Sequence, residues 1–171
     1  MNEVLNNLKT RRSIRKYEPT PVPDELLDQI LEAGLYAASG MGKQCTTMVA
    51  VRDKETRDLL SKLNAEIMGT SSDPFFGAPC VIVVLADPER YTFVEDGSLV
   101  IGNLMEAAHA LGLGSCWIHR AREMFYREEG RALLKKWGLP ENLRGIGNCV
   151  IGYPADIPAA KPRREGRIIK V

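Results

Sequence analysis

Seven consecutive residues, Arg11-Arg12-Ser13-Ile14-Arg15-Lys16-Tyr17, bring four cations, a hydroxyl and a phenol ring into one short stretch. Guanidinium forks and a serine hydroxyl match the acceptor oxygens of a phosphate, and paired arginines can grip a dianion bidentately. The competing reading is structural. A basic turn can close a short helix, where a cation gains roughly 0.3–1 kcal/mol from the helix dipole. The stretch alone does not choose between them. A further group of cations, Lys161, Arg163, Arg164 and Arg167, stands at the far end of the chain in a proline-bearing segment, residues 153–171. Between the two lies Ser39-Gly40-Met41-Gly42-Lys43-Gln44, whose glycines allow close backbone approach by a ligand, although a plain turn uses the same residues.

Composition narrows the owner of any such phosphate. The chain has 171 residues, enough for one domain with a substantial core, and 23 Lys and Arg nearly cancel 22 Asp and Glu. A formal net charge of +1 argues against a general nucleic-acid binder, so the basic stretch is a local device. Cys45, Cys80, Cys116 and Cys149 have the spacing of neither a zinc site nor a disulfide framework, and His109 and His119 do not join them, so no metal is expected. Free thiols beside apolar runs, no signal-like start and no run long enough for a bilayer lead us to expect a soluble cytoplasmic chain. No Rossmann or P-loop glycine pattern follows a strand, and no nucleophile elbow is present. Without an evident nucleophile, metal set or acid–base pair, a bound cofactor is the natural carrier of chemistry.

The elements that must position these residues read as follows. Residues 2–10 form a short helix carrying Val4, Leu5 and Leu8, and Pro19, Pro21 and Pro23 impose an extended approach to the next. A helix starts at Asp24 with Leu26, Leu27, Ile30, Leu31 and Leu35 as its stripe. Residues 46–51 are a strand, 54–68 a helix, and 80–86 a strand buried on both faces. The loop 69–77 holds Phe75 and Phe76, which either plug the core or cover a pocket. Residues 98–111 are apolar round so much of the cylinder that the helix must be buried, in a core or against another subunit. A strand at 115–118, a charged helix at 122–137 and a strand at 143–152 follow. The alternation predicts one α/β or α+β domain with helices on both faces of a sheet, and residues 153–171 are either a loose tail or an arm on another surface.

Four landmarks in order resemble those of the nitroreductase family of FMN-dependent oxidoreductases. They are Arg11-Arg12-Ser13-Ile14-Arg15-Lys16-Tyr17; Ala37-Ala38-Ser39-Gly40-Met41-Gly42-Lys43-Gln44; Glu95-Asp96-Gly97-Ser98 through Leu111-Gly112-Leu113-Gly114-Ser115-Cys116-Trp117-Ile118; and Ile151-Gly152-Tyr153-Pro154 with Lys161-Pro162-Arg163. The resemblance spans nearly the whole chain. It implies an α+β three-layer sandwich, a central mostly antiparallel sheet flanked by helices, and a homodimer with FMN at the subunit interface. Residues 1–171 would then be one FMN-binding domain with 153–171 as its C-terminal arm. By the same resemblance Arg11, Ser13, Lys161 and Arg163 hold the phosphate with Arg12 beside them, and Arg15 sets positive charge near the pyrimidine edge. Ser39, Gly40 and Met41 line the ring from the second subunit, and Gln44 bonds near the ribityl chain or ring in the first subunit. The backbone around Ile118 and His119 offers an N–H to flavin N5. The implied reaction passes hydride from NADH or NADPH through the flavin to a nitroaromatic or quinone-type acceptor by a ping-pong cycle, with no catalytic side chain required. A flavin-binding redox sensor without turnover is the alternative. The chain departs from the family pattern at Gly42, Cys45 and Thr46, where many members carry asparagine and Pro-Trp.

Overall fold

The computed structural model describes residues 2–171. Four strands, β1 (Thr46–Val51), β2 (Cys80–Ala86), β3 (Gly114–Ile118) and β4 (Arg144–Gly152), form one sheet in the order β1-β2-β4-β3 with every neighbouring pair antiparallel. Six α-helices accompany it among the described residues: α1 (Glu3–Thr10), α2 (Asp24–Leu35), α3 (Lys54–Met68), α4 (Phe93–Ala110), α5 (Ala121–Tyr126) and α6 (Glu128–Lys136).

The apolar run of β2 dictates the layering, because successive side chains leave a strand on opposite faces. Val81, Val83 and Leu85 enter one core with Leu60 and Leu63 of α3, Met124 and Phe125 of α5, and Leu133 and Leu134 of α6. Cys80, Ile82, Val84 and Ala86 enter a second core with Leu27 and Ile30 of α2 and with Val100, Ile101, Leu104 and Ala108 of α4. Helices therefore cover both faces, giving the α+β three-layer arrangement that the resemblance implied.

The basic stretch owes its course to the open edge of β3. The Ile14 N–H donates to the Ser115 carbonyl at 2.9 Å, and Ser13 bridges Ser115 in parallel. Gly114 permits this, since a Cβ there would press on the Ile14 side chain. Edge groups of β3 are thus covered by the chain's own N-terminal segment. Further along, Tyr17 bridges Pro154 and its hydroxyl donates to the Ile14 carbonyl at 2.9 Å. Beyond Ala155, whose N–H donates to the Lys16 carbonyl, the tail is exposed and holds no helix or strand.

Two elements differ from the sequence expectation. α4 begins five residues before 98, enclosing Asp96 and Gly97, and Gly97 is needed because a Cβ would collide with Ile146. The single helix expected over 122–137 is two, since Arg127 is extended at φ −74° and ψ 160° and its guanidinium turns to Glu66 at 2.8 Å. The break folds α6 back onto α5, with Gly130 against the Met124 carbonyl and Phe125 Cα. Backbone cannot yield there as a side chain would. Gly130→Ala should therefore cost about 1–3 kcal/mol, seen as a lower urea midpoint at unchanged slope.

Candidate functional site

Two cavities flank the basic stretch. The smaller, about 150 Å³, is lined by Thr10, Arg11, Arg12, His109 and Ser115 among others. Arg11 is oriented there by Glu106 of α4: its Nε donates to Oε1 at 3.2 Å, while Oε2 accepts from Asn7 Nδ2 at 3.0 Å. That leaves Arg11 Nη1 buried with no hydrogen-bond partner. Arg12 behaves differently. Its Nη1 donates to the Lys9 and Arg11 carbonyls at 2.9 and 2.8 Å, closing the end of α1, which is the structural role foreseen for a cation at this turn. His109 Nε2 lies 2.9 Å from the Thr10 hydroxyl.

The larger cavity, about 360 Å³, is within the usual range for small-molecule sites. It brings together Arg15, Ile118 and His119, three of the residues singled out from sequence, with Phe76, Cys116 and Arg120. One wall is the turn that leaves β3, and two carboxamides of the core hold it from beneath. Asn64 Nδ2 donates to the His119 carbonyl at 2.7 Å, and Asn148 Nδ2 reaches the Ile118 carbonyl at 3.4 Å. Asn148 Oδ1 is buried without a partner, a defect costing about 1–3 kcal/mol.

The opposite wall is the loop 69–77. Asp73 organises it, accepting from the Ser61 hydroxyl at 2.6 Å and from the Phe75 and Gly77 N–H groups at 2.9 and 2.8 Å, and pairing with Arg57. Burial alone would raise the Asp73 pKa, but Arg57, Ser61 and the two N–H groups outweigh it and hold the carboxyl below its usual range. The aromatic pair divides its labour. Phe75 is fully buried beneath the Arg57 guanidinium, whereas Phe76, at φ 56°, turns into the cavity wall.

The Ser39–Gln44 segment stands apart from both cavities. It forms a single 3₁₀ turn at Gly40–Gly42, with positive φ at Met41, Gly42 and Gln44. Asp96, almost wholly buried in the first turn of α4, anchors it: one oxygen accepts the Gly40 N–H at 2.9 Å and the other the Cys45 thiol at 3.3 Å. The Gln44 N–H donates to the Ser39 hydroxyl at 3.1 Å. Burial, then the Asp96 carboxylate, push the Cys45 thiol up to about 11. Lys161 and Arg163 lie in the exposed tail and reach neither cavity in a single chain.

Asn64, Asp73, Glu106 and Asn148 have no place in the sequence expectation, and Asp96 enters it only as part of a landmark, without a role. Two left a trace: Asn64 sits on the α3 stripe among Leu60, Leu63 and Ile67, and Asn148 interrupts the apolar β4 run. Asp73, Asp96 and Glu106 look like any surface carboxylate until the fold brings their partners. Among the described residues, no three His, Cys, Asp or Glu side chains cluster as for a metal, and no helix is long and apolar enough to cross a membrane.

This geometry agrees with what the chain resembles. The nitroreductase family model matches residues 8–75 and 66–153, so the chain belongs to the nitroreductase family. A relative from Archaeoglobus fulgidus is 35% identical over 162 residues, covering 91% of this chain and 88% of its own. An FMN reductase [NAD(P)H] from Bacillus subtilis is 32% identical, with 95% and 70% covered. A crystal structure of a Bacteroides fragilis nitroreductase with bound FMN superposes with a TM-score of 0.92 at 30% identity, covering both chains completely.

Two consequences can be measured. Asp96→Asn should release the Cys45 thiol and raise its alkylation rate by iodoacetamide at pH 8, by roughly tenfold for each pKa unit recovered; Cys80, Cys116 and Cys149 are buried and should stay slow. Because the folded Asp73 pKa is depressed, its contribution to stability exists above the unfolded value of about 3.9 and fades as pH falls through the folded one. Asp73→Asn should lower the melting temperature at pH 7, and the gap to wild type should close towards pH 2 in a thermal-denaturation series.

Proposed function

We propose that this chain is an FMN-binding oxidoreductase that takes hydride from NADH or NADPH and works as a homodimer. The observation that carries the reading is the disposition of the basic stretch. It presents an unpartnered Arg11 nitrogen on one side, and on the other it sets Arg15 across a ligand-sized cavity from the Ile118–Arg120 turn. These residues suit a flavin mononucleotide, which has a dianionic phosphate at one end and a flat ring with acceptor edges at the other.

Arg11 Nη1 and the Ser13 hydroxyl would hold the phosphate, joined by Lys161 and Arg163 from the tail, with Arg12 bracing the turn behind them. Arg15 keeps a fixed positive charge beside the larger cavity, where it stabilises negative charge that develops on a bound ring. Held by these residues, FMN would supply the redox chemistry, hydride exchange between a nicotinamide and a nitroaromatic or quinone-type acceptor in a ping-pong cycle. Ser39, Gly40 and Met41 would reach the ring region of a second subunit, their loop held stiff by Asp96; Gln44, expected at the first subunit's flavin, is bonded to Ser39 in the same loop and apart from both cavities, so it would go with them. A second copy is favoured by the apolar surface that a single chain leaves open. α1 buries none of its residues, and Val4, Leu5, Leu8, Leu35, Tyr36 and Leu99 are all exposed. The free thiols suit a reducing cytoplasm.

FMN added to flavin-free protein should shift the flavin spectrum and raise the melting temperature, and anaerobic NADH or NADPH should then bleach the complex. No spectral or thermal response to FMN overturns the proposal, and a tight complex that neither nicotinamide bleaches turns it into a flavin-binding sensor. The phosphate assignment has its own test. Wild type should bind FMN at least about tenfold tighter than riboflavin, as charge-assisted hydrogen bonds require, and Arg11→Ala with Arg163→Ala should erase that preference.

A further inference from the structure

Asn64 and Asn148 are both wholly buried, and their nitrogens converge on one turn. Asn64 Nδ2 meets the His119 carbonyl at 2.7 Å and Met124 Sδ at 3.3 Å; Asn148 Nδ2 meets the Ile118 carbonyl at 3.4 Å and the same sulfur at 3.5 Å. Only the amide nitrogens can face these carbonyls, so the orientation of both carboxamides is determined by their partners. In a trans peptide the C=O and the following N–H point in opposite directions. With the Ile118 and His119 carbonyls drawn into the core, the N–H groups of His119 and Arg120 are directed away from it, and both residues line the larger cavity. Arg120 takes φ 76°, a left-handed conformation that residues with side chains seldom adopt, and its guanidinium lies 3.5 Å from Asn64 Oδ1. A node that served packing alone could be made of apolar side chains; this one keeps two carboxamides and leaves Asn148 Oδ1 unsatisfied.

We propose that Asn64 and Asn148 are positioning residues for the cofactor ring. By anchoring the Ile118 and His119 carbonyls, they keep the His119 and Arg120 N–H groups turned towards the cavity that Arg15 shares, where these donate to acceptor atoms on the ring edge. The inference rests on the FMN reading and adds to it the device that pre-sets the donor wall before the cofactor arrives. Its cost is a polar node in the core beneath α3 and β4; its return is a donor wall that needs no reordering on binding.

Amide hydrogen exchange of the whole chain, with and without FMN, tests this directly. In wild type the Arg120 amide should exchange rapidly without FMN and at least about tenfold more slowly with it, as one added hydrogen bond of ordinary strength gives. Asn64→Ala and Asn148→Ala should still bind FMN, with a dissociation constant raised by up to about tenfold, but should lose the FMN-dependent protection at His119 and Arg120. The midpoint potential of the bound flavin should also move in both variants, which loss of stability alone would not cause. If FMN binds and leaves Arg120 unprotected in wild type, or if both variants keep wild-type protection and potential, the positioning role is refuted while the FMN reading stands. If FMN does not bind wild type at all, the FMN reading fails and this inference with it. Should neither variant fold, the wild-type exchange comparison decides alone.

Discussion

A helix as apolar along its middle as α4 cannot remain in water, and laying it across the sheet settles where its two polar ends must be. Val100, Ile101, Leu104 and Ala108 are almost completely buried against the even-numbered side chains of β2 and the stripe of α2. At one end Asp96 grips the Gly40 N–H and the Cys45 thiol; ten residues on, Glu106 grips Asn7 and Arg11, and His109 meets Thr10. Ten residues of helix are about 15 Å. The burial of one apolar stripe therefore sets the separation between the glycine-bearing loop and the basic stretch.

A carboxylate beside Arg11 at first opposes a phosphate role, since it offsets charge where a dianion would sit. The magnitudes make that opposition slight. The Arg11–Glu106 pair retains about a quarter of its side-chain exposure on each partner, at 23% and 28%, and such pairs are worth about 0–1 kcal/mol. What Glu106 contributes is orientation. It occupies Nε, so the remaining nitrogens of the fork are held in a fixed direction, and a pre-set guanidinium loses less rotamer freedom on meeting an anion than a free one. Arg12, spent on the Lys9 and Arg11 carbonyls, shows that the same stretch also performs the mundane helix-closing task. The structural reading of the basic cluster is met by Arg12, which leaves Arg11 free of that task.

Much of the scaffold was legible because it depends on apolar pattern alone. The run 80–86 had to be covered on both sides, and the helix over 54–68 appears with those bounds. Where the reading failed, tertiary approach had overridden local pattern. The helix expected from residue 98 in fact encloses Gly97, a contact point for Ile146, and the charged periodicity of 122–137 concealed the extended Arg127 that lets Gly130 sit on the α5 backbone. Of the residues named from the sequence, Arg15 for its charge and Ile118 and His119 through the resemblance do line one cavity together. The site was illegible where ordinary residues are made special by what lies opposite, as at Asp73 and Asp96. No spacing rule relates Asp96 to Gly40, 56 positions away.

The Ser39–Gln44 loop raises a question that a single chain does not answer. Its backbone is held in conformations that favour glycine at two residues that are not glycine, Met41 and Gln44, and Met41 is 92% exposed. Strain of this kind costs on the order of 1 kcal/mol or more per residue and persists only where surroundings enforce it. Here a nearly buried carboxylate enforces it, yet the loop so stiffened touches neither cavity of its own chain. Rigidity on an exposed surface gains nothing unless something docks against it, because ordering lost in advance is ordering not lost on contact. The exposed tail poses the same question through charge, with Lys161 and Arg163 unsupported by any element of their own chain. A stiff loop and a loose cationic arm are complementary ways of meeting a second copy: the loop presents a formed surface, and the arm supplies charge that must travel. On the dimeric reading each flavin site would then draw its ring contacts and its phosphate contacts from segments that the monomer leaves idle.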